Sequence, residues 1–369
     1  MQVNGTPFRS IWLTPDKPEV LVIDQTLLPF VFEVRTLTSS SETAHAIREM
    51  VVRGAPLIGA TAACGLFLAA ASDASEDNLR RACEELLSSR PTAVNLRWAL
   101  DRMLPLLLEV SESERAGRAQ ELAQQICDED VNTNSAIGDH GLTLISEAAN
   151  ACPHRPVNIL THCNAGWLAT VDWGTALAPI FKAHDQGIAV HVWVDETRPL
   201  NQGASLTAWE LGAHGVSHTV IADNAGGHLM QHGEVDLCIV GSDRTTRAGD
   251  VCNKIGTYLK ALAAHDNGIP FYAALPSSTV DWTISDGVRD VPIEERAEEE
   301  VSHICGRDSE ADRLVRVRII PDGSSAANPA FDVTPRKLID GIITERGVVK
   351  ACEDDLISLF PQDAEVRNI

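Results

Sequence analysis

The sequence predicts an α/β protein, with a mainly helical domain over residues 1–150 and a mostly parallel sheet domain over residues 151–369. Three observations lead there. Apolar residues recur at helical spacing through most of the first part. Beyond it, short β-branched runs alternate with amphipathic stretches, the pattern of βαβ units. Between the two lies Cys152-Pro153-His154-Arg155-Pro156, where two prolines break helical spacing.

The first part opens on a short strand region. Ser39 and Glu42 then have the spacing of a capping box, followed by Ala44, Ile47, Met50 and Val51 at helical intervals. That helix should end near Arg53-Gly54-Ala55-Pro56, since glycine and proline both terminate helices. The run LIGATAACGLFLAAAS is rich in small residues and reads as a buried helix that lets its neighbours approach closely, rather than as a ligand-lining segment. Residues 76–89 and 94–109 read as further helices, with Pro105 expected to kink or shorten the second. From 111 to 150 the chain is charged, Ala-rich and free of proline, which predicts long helices.

In the second part the predicted strands are VNIL (157–160), IAVHVWV (188–194), HTVIA (218–222), LCIVG (237–241) and IPFYAAL (269–275). LTAWELGAHG and VCNKIGTYLKALAAH read as helical connections between them. Each strand runs into polar residues: His162-Cys163-Asn164, Asp195-Glu196, Asp223-Asn224, Ser242-Asp243 and Ser277-Ser278. Open parallel sheets bind ligands just beyond the carboxyl ends of their strands. Polar residues at a single strand end are also ordinary turn chemistry, so the joint pattern is what points to a site.

The length of 369 residues suits two domains, and an apolar fraction of 44% suits a packed core. A formal net charge of -22 disfavours nucleic acid and membrane surfaces as partners, since both are polyanions. A small anion is still compatible, because a few cations dominate locally when the Debye length is about 8 Å. No run of about 18 uncharged apolar residues is apparent, so no transmembrane helix is expected. The start MQVNGTPFRSIWL lacks the features of a signal peptide, and the expected location is the cytoplasm. Nine cysteines without a Cys-x-x-Cys pair fit reduced thiols.

The turn THCNAG after the first strand of the series lacks the glycines of a dinucleotide fingerprint. A Walker loop is absent, and adjacent His162-Cys163 alone is weak as a zinc signal. Cys163 follows a strand and should lie near a helix N-terminus, a setting that favours thiolate; the alternative is a small buried side chain. Asp243 ends a strand where desolvation can lift it into general-acid range; the alternative is a turn partner for Arg244.

Longer segments carry a resemblance. These are VNGTPFRSIWL, RGAPLIGATAACGL (53–66), RPTAVNLRWAL (90–100), LTHCNAGWLAT (160–170), VDETRPLNQGASLTAWEL (194–211), IADNAGGHLM (221–230), GSDRTTRAGDVCNKIGTY (241–258), IPFYAALPSSTVD (269–281), PIEER (292–296) and NPAFDVTP (328–335). In this order they resemble the methylthioribose-1-phosphate isomerase family, aldose-ketose isomerases of methionine salvage. The resemblance implies a helical N-terminal domain, a Rossmann-like C-terminal domain, a homodimer, a phosphorylated pentose as substrate, and no metal or organic cofactor. It also implies catalytic roles for Cys163 and Asp243, with substrate contacts from Arg53, Gly54, Ala55, Arg90, Gln202, Asn253 and Lys254. Two arginines and a lysine are apt for a phosphate dianion. Two departures from the family pattern are Ser205 where arginine is usual, which removes a positive charge near the cleft, and Ala248 where asparagine is usual.

A sugar carrying phosphate on C1 cannot open its ring as a free hemiacetal does. A general acid must protonate the ring oxygen, and Asp243 is the expected donor. Hydrogen then reaches C1 either as a proton carried by Cys163 or as a hydride from C2, and the sequence leaves both routes open. Ribose-1,5-bisphosphate isomerisation and a non-catalytic regulatory subunit are the rival functions. The presence of both Cys163 and Asp243 speaks against the second of these.

Overall fold

The computed structural model describes residues 1–3, 5–90 and 93–362. Asn4 of VNGTPFRSIWL, Pro91 and Thr92 of RPTAVNL, and residues 363–369 of the predicted second domain lie outside the described residues.

An antiparallel sheet of Ile11–Leu13, Val20–Ile23 and Val34–Leu37 precedes the helices. Helix Ser40–Arg48 forms where the capping pair predicts it, but only half of the box closes. Ser39 Oγ accepts the Glu42 N–H, while the Glu42 carboxylate turns to the Thr38 N–H at 2.7 Å. Helices Ala55–Ser72, Glu76–Ser89 and Val94–Leu108 follow. Pro105 is accommodated inside the third, which ends one turn later. The stretch from 111 is a single 40-residue helix, Glu112–Ala151, with a closed capping box between Ser111 and Glu114.

Ala55–Ser72 is long and apolar enough to cross a membrane, which corrects the expectation that no such run exists. Its place is the centre of the helical layer, against Ser40–Arg48, Glu76–Ser89, Val94–Leu108 and Glu112–Ala151, with Leu57, Ala62, Leu66 and Leu68 fully buried. Its small side chains admit neighbours on every side, so the helix is apolar all round because it is buried all round.

The chain leaves the long helix at Cys152 and enters a seven-stranded sheet at Val157. From one edge the strands are Gly347–Val349, Gly341–Thr344, Phe271–Ala274, Leu237–Val240, Val157–Thr161, Val190–Asp195 and His218–Ile221. All neighbours pair in parallel except the first two. The chain winds outward from Val157–Thr161 to one edge, then returns to place Leu237–Val240 on the other side of it. The strand order therefore reverses between these two, and such a switch point opens a crevice at their carboxyl ends.

All five predicted strands are present. The segment VCNKIGTYLKALAAH is not one helix, however. Val251–Lys254 is a strand, and the helix is Thr257–Asp266. Gly256, at φ 103°, turns the chain between them in a conformation that favours glycine. Val251–Lys254 belongs to a second sheet with Val280–Asp281, Arg244–Thr246 and Phe331–Thr334. This sheet stands beyond the switch point and supplies the opposite wall of the crevice.

Candidate active site

Cys163 lies two residues past the Val157–Thr161 strand, with φ 66°, a left-handed conformation that non-glycine residues rarely adopt. Such a conformation costs on the order of 1–3 kcal/mol and persists only where surrounding bonds fix it. Here Thr197 Oγ1 accepts the Cys163 N–H at 2.8 Å, and Thr207 Oγ1 donates to the Cys163 carbonyl at 2.7 Å. The thiol donates to Gln202 Oε1 at 3.4 Å. No α-helix begins behind Cys163: a short 3-10 turn, Trp167–Ala169, comes next. The expected helix-dipole activation is therefore absent. Burial pushes the thiol up, and the charges of Arg53 and Lys254 pull it back toward thiolate.

Asp243 follows the Leu237–Val240 strand, its N–H donating to the Cys252 carbonyl at 2.9 Å. Its carboxyl lines the same cavity as Cys163, and Arg244 reaches away to Asp281 at 3.3 Å. Burial raises the carboxyl against the lowering pull of Lys254, Arg90 and Arg53.

The cavity also takes in Arg53, Gly54, Ala55, Arg90, Gln202, Asn253 and Lys254, so every sequence-predicted site residue meets at one place. Arg53 donates to Asn164 Oδ1 and, at 2.6 Å, to the Asn164 carbonyl. Arg90 pairs with Glu294 at 3.1 Å, and its Nε is buried with no hydrogen-bond partner among the described residues. Lys254 is buried with its ammonium 5.0 Å from the centre of the Phe331 ring, and burial lowers its pKa. Asn253 is held by the Thr257 hydroxyl at 3.0 Å. Gly54 is the N-cap of Ala55–Ser72 with no side-chain cap, so that helix points its unsatisfied N–H groups and positive dipole end at the cations' common target. With φ at 97° and a Cβ position only 2.6 Å from Ala169, residue 54 must be glycine for the loop to pass. Together these groups gather positive charge beside a buried thiol and a carboxyl, an arrangement that can hold an anion.

Sequence reasoning missed Arg296, a further cation in the cleft, which is bonded to Glu294 at 3.0 Å and to Glu300 at 2.6 Å. PIEER contains it, but only as part of the resemblance. Glu210 was missed as well. It is fully buried, and its carboxyl is pushed up to about 7 by desolvation while Asn164, Leu168, Trp167 and Arg53 pull it down. His162 is buried between Asp195 at 2.8 Å and the Ile255 carbonyl at 2.8 Å, so it ties the two sheets together. His162, Asp195 and Asp223 could together face a cation, and the Lys260 ammonium stands there, 3.2 Å from Asp195 Oδ2 and bonded to the Asp223 carbonyl.

Residues 51–351 match the initiation factor 2 subunit family. A protein from Methylorubrum extorquens named methylthioribose-1-phosphate isomerase is 64% identical over 98% of this chain and 99% of its own. The crystal structure of 5-methylthioribose 1-phosphate isomerase from Pyrococcus horikoshii is 41% identical, with a TM-score of 0.81 over 98% of this chain and 99% of that one. The translation initiation factor eIF-2B subunit delta from A. fulgidus is 40% identical, with a TM-score of 0.79 over 96% of this chain and 100% of that one. The chain belongs to the initiation factor 2 subunit family and, within it, to the methylthioribose-1-phosphate isomerases.

Proposed function

We propose that this chain converts 5-methylthioribose 1-phosphate to 5-methylthioribulose 1-phosphate in methionine salvage, with Cys163 and Asp243 acting on the sugar. The observation that carries this reading is the convergence of four cations, Arg53, Arg90, Lys254 and Arg296, and a helix N-terminus on one cavity that also contains a buried thiol and a half-buried carboxyl. The names of relatives 60–64% identical over nearly the whole chain support the choice of substrate.

Arg53, Arg90, Lys254 and the N–H groups after Gly54 hold the phosphate, with Ala55 and Asn253 beside them and Gln202 orienting the thiol. Asp243 gives its proton to the ring oxygen as the C1–O4 bond breaks. The hydrogen on C2 moves to C1 as a hydride, the C2 hydroxyl, polarised by the Cys163 thiol, becomes a ketone, and its proton returns to the Asp243 carboxylate. Atoms and protons balance without an added reductant. Burial that keeps the Cys163 thiol uncharged favours a direct hydride shift over abstraction of the C2 proton by thiolate.

The pH dependence follows in sign. A general acid works while protonated, so turnover is full below the raised pKa of Asp243 and falls about tenfold per unit above it. A kcat-pH profile that instead rises through this region would assign Asp243 to the base role.

A groove of about 530 Å³ adjoins the cavity and shares Met50, Arg53 and Gln202 with it. Leu28, Phe30, Leu206 and Leu314 give it an apolar stretch that suits a thioether, beside Glu49, Arg53 and Arg316. With purified protein, kcat/KM for 5-methylthioribose 1-phosphate should exceed that for ribose 1,5-bisphosphate. The reverse ratio would select the bisphosphate, and no turnover of either would select a non-catalytic regulatory subunit. A cytoplasmic homodimer is part of the proposal. The dimer is supported by the open edge strand His218–Ile221, with Val220 42% exposed, and by Leu259, 64% exposed, on helix Thr257–Asp266.

A further inference from the structure

Glu210 lies on the short helix Ala208–His214, wholly buried, and has no part in the chemistry above. Its carboxylate accepts from Asn164 Nδ2 at 2.8 Å, the Trp167 N–H at 2.8 Å and the Leu168 N–H at 3.1 Å. Chain and carboxylate are in close apposition, since a Cβ at Gly166 would fall 1.9 Å from Glu210 Oε2. Asn164 Nδ2 also donates to Thr207 Oγ1 at 3.1 Å, and that hydroxyl donates to the Cys163 carbonyl. Both amide hydrogens of Asn164 are thereby engaged on the Glu210 side. Its Oδ1 must then face the cleft, where it accepts from Arg53 Nη1, while the Asn164 carbonyl accepts from Nη2.

The geometry points to Glu210 as a positioning residue for the substrate's phosphate: through Asn164 it fixes the Arg53 guanidinium. A carboxylate is needed because three donors converge on it, and only a group that accepts at both oxygens satisfies them all. In Glu210→Gln the amide must present its NH2 either to the Trp167 N–H or to Asn164. The second choice turns the Asn164 NH2 toward Arg53, setting donor against donor.

This inference rests on the isomerase reading, and the test separates the two. Steady-state kinetics on 5-methylthioribose 1-phosphate are compared for the wild type, Glu210→Gln, Arg53→Met and the double variant. Glu210→Gln is expected to raise KM about tenfold with kcat changed by less than about threefold, and to change KM by less than about twofold when Arg53 is already Met. An equal KM effect in both backgrounds, or a loss confined to kcat, would overturn the role. If Glu210→Gln does not fold, Asn164→Ala breaks the same relay and should carry the same KM increase; an unchanged KM there also overturns it. Should the wild type not turn over this sugar, the isomerase reading fails. Calorimetric titration with inorganic phosphate then decides the inference: about tenfold weaker binding to Glu210→Gln supports it, and equal binding refutes it.

Discussion

Cys163→Ser and Asp243→Asn are each expected to lower turnover by about 10² or more, the range usual for positioned acid and base groups. Both are nearly isosteric, and stability should change by no more than about 1 kcal/mol. An amide at 243 cannot release a proton to the ring oxygen, so ring opening loses its acid. A hydroxyl at 163 can still donate to Gln202, which preserves the left-handed loop, but it lacks the polarisability and acidity of the thiol. The measurement is kcat beside a thermal unfolding curve. Near-normal kcat in either variant would remove that residue from the chemistry.

Lys254→Met should lower kcat/KM by a factor of about 10 to 150, the equivalent of one charge-assisted contact of roughly 1.5–3 kcal/mol. Methionine keeps the volume and the contact with Phe331, so the loss reports the ammonium rather than a cavity. A second effect distinguishes this site from a remote phosphate clamp. The Lys254 charge holds down both the Asp243 carboxyl and the Cys163 thiol. Without it the Asp243 pKa rises further, and the high-pH limb of kcat should move to higher pH. A limb that stays in place would mean that Lys254 binds phosphate without tuning the acid.

Much of this was legible in the sequence because the informative residues are local to their elements. The Val157–Thr161 and Leu237–Val240 strands are short apolar runs ending in His162-Cys163 and Ser242-Asp243, so strand and site are read from the same few positions. The strand order that brings Cys163 and Asp243 to one crevice is not a local property and was not read from the sequence; the polar ends of successive parallel strands pointed only to a common crevice. Val251–Lys254 was hidden because it is buried on both faces and shows no alternation, while the helix behind it continues an apolar spacing. Gly341–Thr344 and Gly347–Val349, toward one edge of the sheet, each begin on glycine, a residue that strands disfavour. Glu210 looked like an ordinary helical glutamate, since nothing in TAWEL announces a partner 46 residues earlier. The Cys163 environment was misjudged for a related reason: a strand-to-polar transition suggests a helix start, and the chain instead makes a 3-10 turn and a broad loop.

The most direct test of the central claim is to follow 5-methylthioribose 1-phosphate, labelled with carbon-13 at C2, by NMR in the presence of the purified protein. The proposed activity predicts that the C2 signal moves from the alcohol to the ketone region while the phosphate stays on C1, and that Asp243→Asn slows this by about 10². Persistence of the C2 alcohol signal with wild-type protein, or release of inorganic phosphate in place of the ketone, would contradict it.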